Sequence, residues 1–136
     1  MQLLTVSALL TDAAGFILLV RRKKSALWRL PGNVIRSTAS VTGMLVSLCR
    51  RQVGVTPDFV APFFEFEFSG RRVMVGRDSI PHEQARACGW VEAVHWSRRD
   101  ALPLSLEPTA RMAIALHRAA ELRNATWPAR IGSRLG

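Results

Sequence analysis

The run Phe64-Glu65-Phe66-Glu67-Phe68 alternates aromatic and charged side chains without a break. A strand repeats every two residues, so it sends the rings to one face and the carboxylates to the other. A helix would scatter the rings around its circumference. The chain must therefore build a sheet, and the aromatic face of that sheet needs a core. Ser69-Gly70-Arg71-Arg72 predicts a turn back into Val73-Met74-Val75, which makes this segment a hairpin.

The rest of the chain supplies partners for that sheet. Residues 3–10 are apolar except for Thr5 and Ser7, placed two apart as in a half-buried strand. The turn Thr11-Asp12-Ala13-Ala14-Gly15 leads into apolar residues 16–20, predicting another hairpin. Val41, Met44, Leu45, Leu48 and Cys49 recur at helical spacing, which predicts a helix over 40–53. Ser40 is placed to cap its start and Gly54 to end it, while Pro57 bars continuation. Pro31 and Gly32 predict irregular backbone in Leu30-Pro31-Gly32-Asn33. Residues 90–96 read as a short strand. Residues 107–123 read as a second helix, with Pro108 in its first turn and Met112, Ala115, Leu116, Ala119 and Leu122 as its apolar stripe. That order is α+β or α/β, a mixed sheet with helices packed on it. No repeat or linker divides it, so residues 1–124 are expected to form one domain and residues 125–136 a basic tail.

Composition narrows the function class. Hydrophobic residues make up 49% of the chain, enough for a core, which excludes intrinsic disorder. No apolar run reaches the roughly 18 residues of a membrane span, and no membrane partner is expected. Residues 3–10 lack the basic flank of a signal peptide. Cys49 and Cys88 make neither a metal spacing nor a disulfide framework, so the expected location is cytoplasmic. Nineteen Lys+Arg against ten Asp+Glu leave a formal charge of +9. Such an excess points to phosphate-bearing partners, whether nucleotide, nucleic acid or anionic surface.

One stretch is more specific. The strand Leu18-Leu19-Val20-Arg21-Arg22 ends in arginine and is followed by Trp28, Leu30-Pro31-Gly32-Asn33, and a helix closing on Gly54-Val55. In this order and spacing it resembles a Nudix (MutT-like) hydrolase, and residues 92–102 resemble the late strand and turn of the same family. The resemblance spans roughly residues 3–118. It implies a Nudix fold, a mixed β-sheet sandwiched between α-helices (α/β/α), with helix 40–53 on one side and helix 107–123 on the other.

The resemblance also implies a loop–helix–loop motif whose glutamates share one helix face and hold Mg²⁺ against a diphosphate. Alignment on Gly54-Val55 puts Leu48, Arg51 and Gln52 at the motif's helical glutamates. Ala39 then falls at its loop glutamate and Ser47 at its arginine. Residues 40–53 contain no acid, so no shift of register supplies the ligands. Metal-dependent hydrolysis by that route is expected to be absent, and no cofactor is expected. Restoring glutamate at Ala39, Leu48, Arg51 and Gln52 would lower the formal charge from +9 to +4, so about half the basic excess belongs to the degenerate motif.

The expected function is binding of a nucleotide or other phosphorylated small molecule through basic residues in place of Mg²⁺. The candidate ligand-binding residues are Arg22, Trp28, Arg51 and Gln52; none is assigned a catalytic or metal-binding role. The guanidinium of Arg51 matches a phosphate bidentately, or is a solvated neighbour of Arg50. Arg21-Arg22-Lys23-Lys24 grips a phosphate or is a solvated loop; Trp28 stacks on a base or packs; Leu48 plugs the former site or packs. One alternative is an active hydrolase using Mg²⁺ or Mn²⁺, its ligands relocated to Glu65, Glu67, Glu83 and Glu92. Another is a basic nucleic-acid-binding scaffold, though not a helix-turn-helix, because residues 58–68 read as strand where a helix is required. His82, His95 and His117 show no ligand spacing. Asn124-Ala125-Thr126 matches a glycosylation acceptor, a coincidence in a chain without a secretory signal. The resemblance also makes a homodimer an expected form.

Overall fold

The computed structural model describes residues 3–36 and 40–135, with the side chains of residues 124–135 excepted. The chain runs β1 (Leu3–Thr11), β2 (Ile17–Arg22), β3 (Trp28–Arg29), β4 (Gly32–Arg36), α1 (Val41–Val53), β5 (Phe64–Phe68), β6 (Arg71–Ser79), a short 3-10 turn (His82–Gln84), β7 (Val91–Ser97) and α2 (Pro108–Leu135). The strands form one mixed sheet. Its order is β3-β2-β1-β6-β5, with β4 also pairing β1 and β7 also pairing β2.

The alternating hairpin forms as the sequence predicts: Phe64 lies opposite Val75 and Phe68 opposite Arg71. The first expected hairpin is mostly replaced. Strands β1 and β2 meet only at Thr11 and Ile17. Beyond that point they splay, β2 taking β7 as its antiparallel partner and β1 taking β4. On its other edge β1 runs parallel to β6, from Leu4 beside Arg72 to Thr11 beside Ser79. Parallel neighbours need a long crossover, and the segment holding α1 provides it.

Strand β4 corrects the expectation of irregular backbone after Pro31. Gly32 pairs with Ser7 and Arg36 with Leu3. Gly32 has φ 150°, and a Cβ there would stand 2.0 Å from the Val6 carbonyl oxygen. Only glycine allows so close an approach, so the residue that reads as a breaker is what lets this strand begin.

Both faces of the sheet are covered. Leu4, Val6, Ala8, Leu10, Leu18 and Val20 pack under α1 with Leu45, Leu48, Cys49 and Val53. Leu9, Ile17, Leu19, Val73 and Val75 pack under α2 with Ala110, Ala113 and Ile114. Strand β1 is therefore buried on both sides, and Thr5 and Ser7 are buried rather than solvent-facing. A strand covered on both faces loses its polar alternation, and Thr5 and Ser7 are what remains of it.

The two helices differ in legibility. In α1, Ser40 Oγ accepts the Gly43 N–H at 3.1 Å, and Gly54, at φ 72°, sends its N–H to the Arg50 carbonyl. Its buried positions Leu45, Leu48 and Cys49 belong to the stripe that the spacing predicts, and Gln52 and Val53 extend it. In α2 the expected stripe faces outward: Met112, Leu116 and Leu122 are exposed. The face on the sheet is Ala110, Ala113, Ile114 and His117. Small alanines let the helix backbone sit close to the sheet, so the smaller residues won the inner face. The helix also runs to Leu135, twelve residues past Arg123, through the stretch expected as a tail.

Candidate functional site

The last turn of α1 is where the resembled motif would gather its carboxylates. Leu48 is buried in the core and Ser47 and Arg51 are exposed. Ala39 lies outside the described residues. Gln52 is only 1% exposed, and its carboxamide is fully engaged. Its Oε1 accepts the Gly32 N–H at 3.0 Å, and its Nε2 donates to the Gly32 carbonyl at 2.9 Å. An ionised carboxylate in the same place would accept the first bond but face the carbonyl oxygen with no proton to give. Gln52 thus fastens α1 to the start of β4. With each polar atom bonded to Gly32, Gln52 serves as a structural clamp.

The relocated carboxylates do not converge. Glu65 pairs with Arg72 at 2.7 Å, and Glu92 pairs with Arg21 at 3.2 Å. Glu67 and Glu83 are exposed, the first on the outer face of β5 and the second in the 3-10 turn. Among the described residues no three His, Cys, Asp or Glu side chains stand close enough to hold a metal ion. The side chains at this helix do not fit a divalent cation: one is aliphatic, one cationic and one a neutral amide.

What gathers instead is a rim of arginine and tryptophan. The Arg22 guanidinium lies 4.4 Å from the centroid of the Trp90 ring. Gly89, the residue before it, rests against α1, where a Cβ would be 3.2 Å from the Arg51 carbonyl oxygen. Arg22, Trp90 and the last turn of α1 therefore form one continuous rim. The loop carrying Trp90 is stitched to that turn, with Arg86 N–H on the Val53 carbonyl and Cys88 N–H on the Gln52 carbonyl.

Trp28 is not on this rim. It packs against the α2-side core, whereas Trp90 packs against the α1-side core. Its arginine is Arg21, cross-strand from it, with the guanidinium 5.6 Å from the ring and also bonded to Glu92 and the Ser25 carbonyl. His95 completes this second group at 5.6 Å from Trp28. The sequence reading missed Trp90, because only strand pairing reveals that β7 begins beside Arg22.

Nearby groups hold the frame. Buried Asp12 takes the Ala14 and Phe16 N–H groups on one oxygen and His82 Nδ1 on the other, the last at 2.9 Å. Burial alone would raise its pKa, but those bonds and the His82 charge outweigh it and hold the carboxyl below 3.8. His82 in turn stacks on Trp96 at 4.9 Å. The Cys49 thiol, pushed up to about 12 by burial with Asp78 adding, is a core side chain and no nucleophile.

A mixed sheet with one helix on each face, and a loop–helix–loop closing on Gly54, is the fold of the Nudix (MutT-like) hydrolases. Among solved structures, the MutT Nudix hydrolase from Burkholderia pseudomallei superposes with a TM-score of 0.65 at 19% identity, over 85% of this chain and 97% of that one. The MutT protein from Methanosarcina mazei Go1 gives 0.62 at 18% identity, over 90% and 96%. The Nudix domain of Shewanella oneidensis NrtR, crystallised with ADP-ribose, gives 0.63 at 20% identity, over 88% and 89%. In sequence, no family model and no curated protein matches the chain. No described helix is long and apolar enough to cross a membrane.

Proposed function

We propose that this chain is a Nudix-fold binding protein, taking a nucleotide or other phosphorylated small molecule without hydrolysing it by the metal route. The observation that carries this reading is the Gln52 carboxamide bonded to both sides of Gly32, in a helix with no acidic side chain. The rim supplies the positive charge that a metal otherwise brings. Arg22, held by stacking on Trp90, offers its donors to a phosphate, and Arg51 is exposed on the last turn of α1, whose backbone meets the loop carrying Trp90. Trp28 with Arg21 offers a separate aromatic face at the sheet edge. The ADP-ribose complex of the NrtR Nudix domain supports a nucleoside-diphosphate derivative as the first ligand to try. Two free cysteines are consistent with a reducing, cytoplasmic setting.

The test combines binding and turnover. Calorimetry with ADP-ribose and a panel of nucleoside diphosphates should detect a complex without added metal. Arg22→Ala and Arg51→Ala should each weaken it by about tenfold, the loss of one charge-assisted contact. The same panel incubated with Mg²⁺ or Mn²⁺ should show no turnover. Turnover abolished by Glu83→Gln or Glu92→Gln would replace this reading with that of an active hydrolase.

A further inference from the structure

On the opposite side of the sheet, under α2, a cavity of about 420 Å³ has Thr11, Arg77, Asp78, His117 and Glu121 among its lining residues. Leu9 and Arg77 are neighbours across the parallel β1–β6 pair, so Arg77 emerges on the α2 side of the sheet. Its guanidinium makes no hydrogen bond or salt bridge with any described residue, and its Nε is buried without a partner. It lies 5.9 Å from the Phe64 ring. His117 is 9% exposed, stacks on the same ring at 6.5 Å, and leaves its Nδ1 without a partner. Of the two lining carboxylates, Glu121 is already engaged by Arg99, with His117 Nε2 3.6 Å away, and Asp78 accepts the Asp58 and Ser79 N–H groups at 2.7 Å each. A buried guanidinium Nε and a buried imidazole nitrogen left unpaired are costly, and in native proteins such groups ordinarily have partners.

We infer that this cavity is a second binding site, for a phosphate group, held by the Arg77 guanidinium and the His117 imidazole with the Thr11 hydroxyl beside them. A guanidinium offers two parallel donors to phosphate oxygens, and the imidazole N–H and hydroxyl supply further donors. Arg99 pairs with Glu121 and backbone N–H groups hold the Asp78 carboxylate, so both lining acids are already engaged when the anion arrives. The site is separated from Arg22 and Arg51 by the sheet itself, and it stands whether or not that rim binds a nucleotide.

The experiment titrates the full chain with inorganic phosphate, at constant ionic strength set with chloride, and follows by NMR the ring resonances of His117 and, for His117→Phe, the backbone amide signals of Thr11 and Arg77. Saturable shifts of those resonances are expected, with affinity lost by about tenfold in Arg77→Met and in His117→Phe. Thermal melts identify any variant that fails to fold, and Arg77→Lys, which keeps the charge but not the fork, should retain part of the affinity. Repeating the titration with a nucleoside monophosphate distinguishes free phosphate from a phosphorylated metabolite as the better ligand. His117 resonances unmoved by phosphate, moved equally by chloride, or moved through a response that Arg22→Ala abolishes would overturn the assignment.

Discussion

Gln52 decides at the scale of one residue what α1 does. Its carboxamide accepts the Gly32 N–H and donates to the Gly32 carbonyl at any pH, without carrying charge. Gln52→Ala should cost about 3 kcal/mol, because it strands a buried N–H and a buried C=O and leaves a cavity. Gln52→Glu asks a sharper question. An ionised carboxylate faces the Gly32 carbonyl, so the buried acid favours its protonated form and its pKa in the folded state rises. A raised acid pKa makes the variant weakest at neutral pH and closer to the parent as the acid protonates, since the neutral carboxyl donates again. Urea unfolding of variant and parent at pH 7 and at about pH 4 should show that gap narrowing. A gap that stays constant would mean that the proton donated by the amide is not what matters. The sequence carried half of this point: it showed that the expected acids were missing and named Gln52. It did not show that Gln52 had turned inward, because the partner, Gly32, lies twenty residues away in a segment that reads as a loop.

Helices α1 and α2 show why legibility varies from element to element. Ser40, Gly54 and a leucine-rich stripe all point to the same bounds for α1, so local and tertiary signals agree. In α2 they conflict. The more hydrophobic stripe is exposed, and the alanine-rich face is inside, because close approach to the sheet outweighs side-chain hydrophobicity there. Ile114→Ala should therefore destabilise by about 3 kcal/mol, whereas Leu116→Ala should stay within about 0.5 kcal/mol. Thermal or urea unfolding of the two variants checks the assignment, and equal losses would refute it. Strand β5 was legible for a different reason: only one of its faces is covered, so the alternation survives in full. Strand β1 was legible as a strand but not as one buried on both faces, and β4 was not legible, because a required glycine disguises it.

For the whole molecule, the same two-sided burial that blurs the pattern along β1 also separates the chemistry. The α1 side holds the motif, its clamp and the Arg22–Trp90 rim; the α2 side holds Arg77 and His117. The basic residues, whose excess names no site in the sequence, thus serve both faces of the sheet, Arg22 on one and Arg77 on the other. That division has a consequence for stability against pH. Burial, with Arg77 and Arg99 adding, lowers the His117 pKa below 6.5, opposed by Glu121. The unfolded chain then binds a proton that the folded one resists, so stability falls as pH drops through 6.5 towards the lower folded value. Asp12 acts in a separate window. Its carboxyl is held below 3.8, so its contribution is present above that value and is lost as pH falls through the lower folded value. Urea midpoints measured in phosphate-free buffers should decline twice, first below about pH 6.5 and again in strong acid. His117→Phe should flatten the first decline and leave the second, because the imidazole that must take up the proton is gone. Phosphate added to the parent protein should also weaken the first decline, since an anion beside Arg77 favours protonated His117. An unchanged first decline in His117→Phe would assign that proton to another histidine.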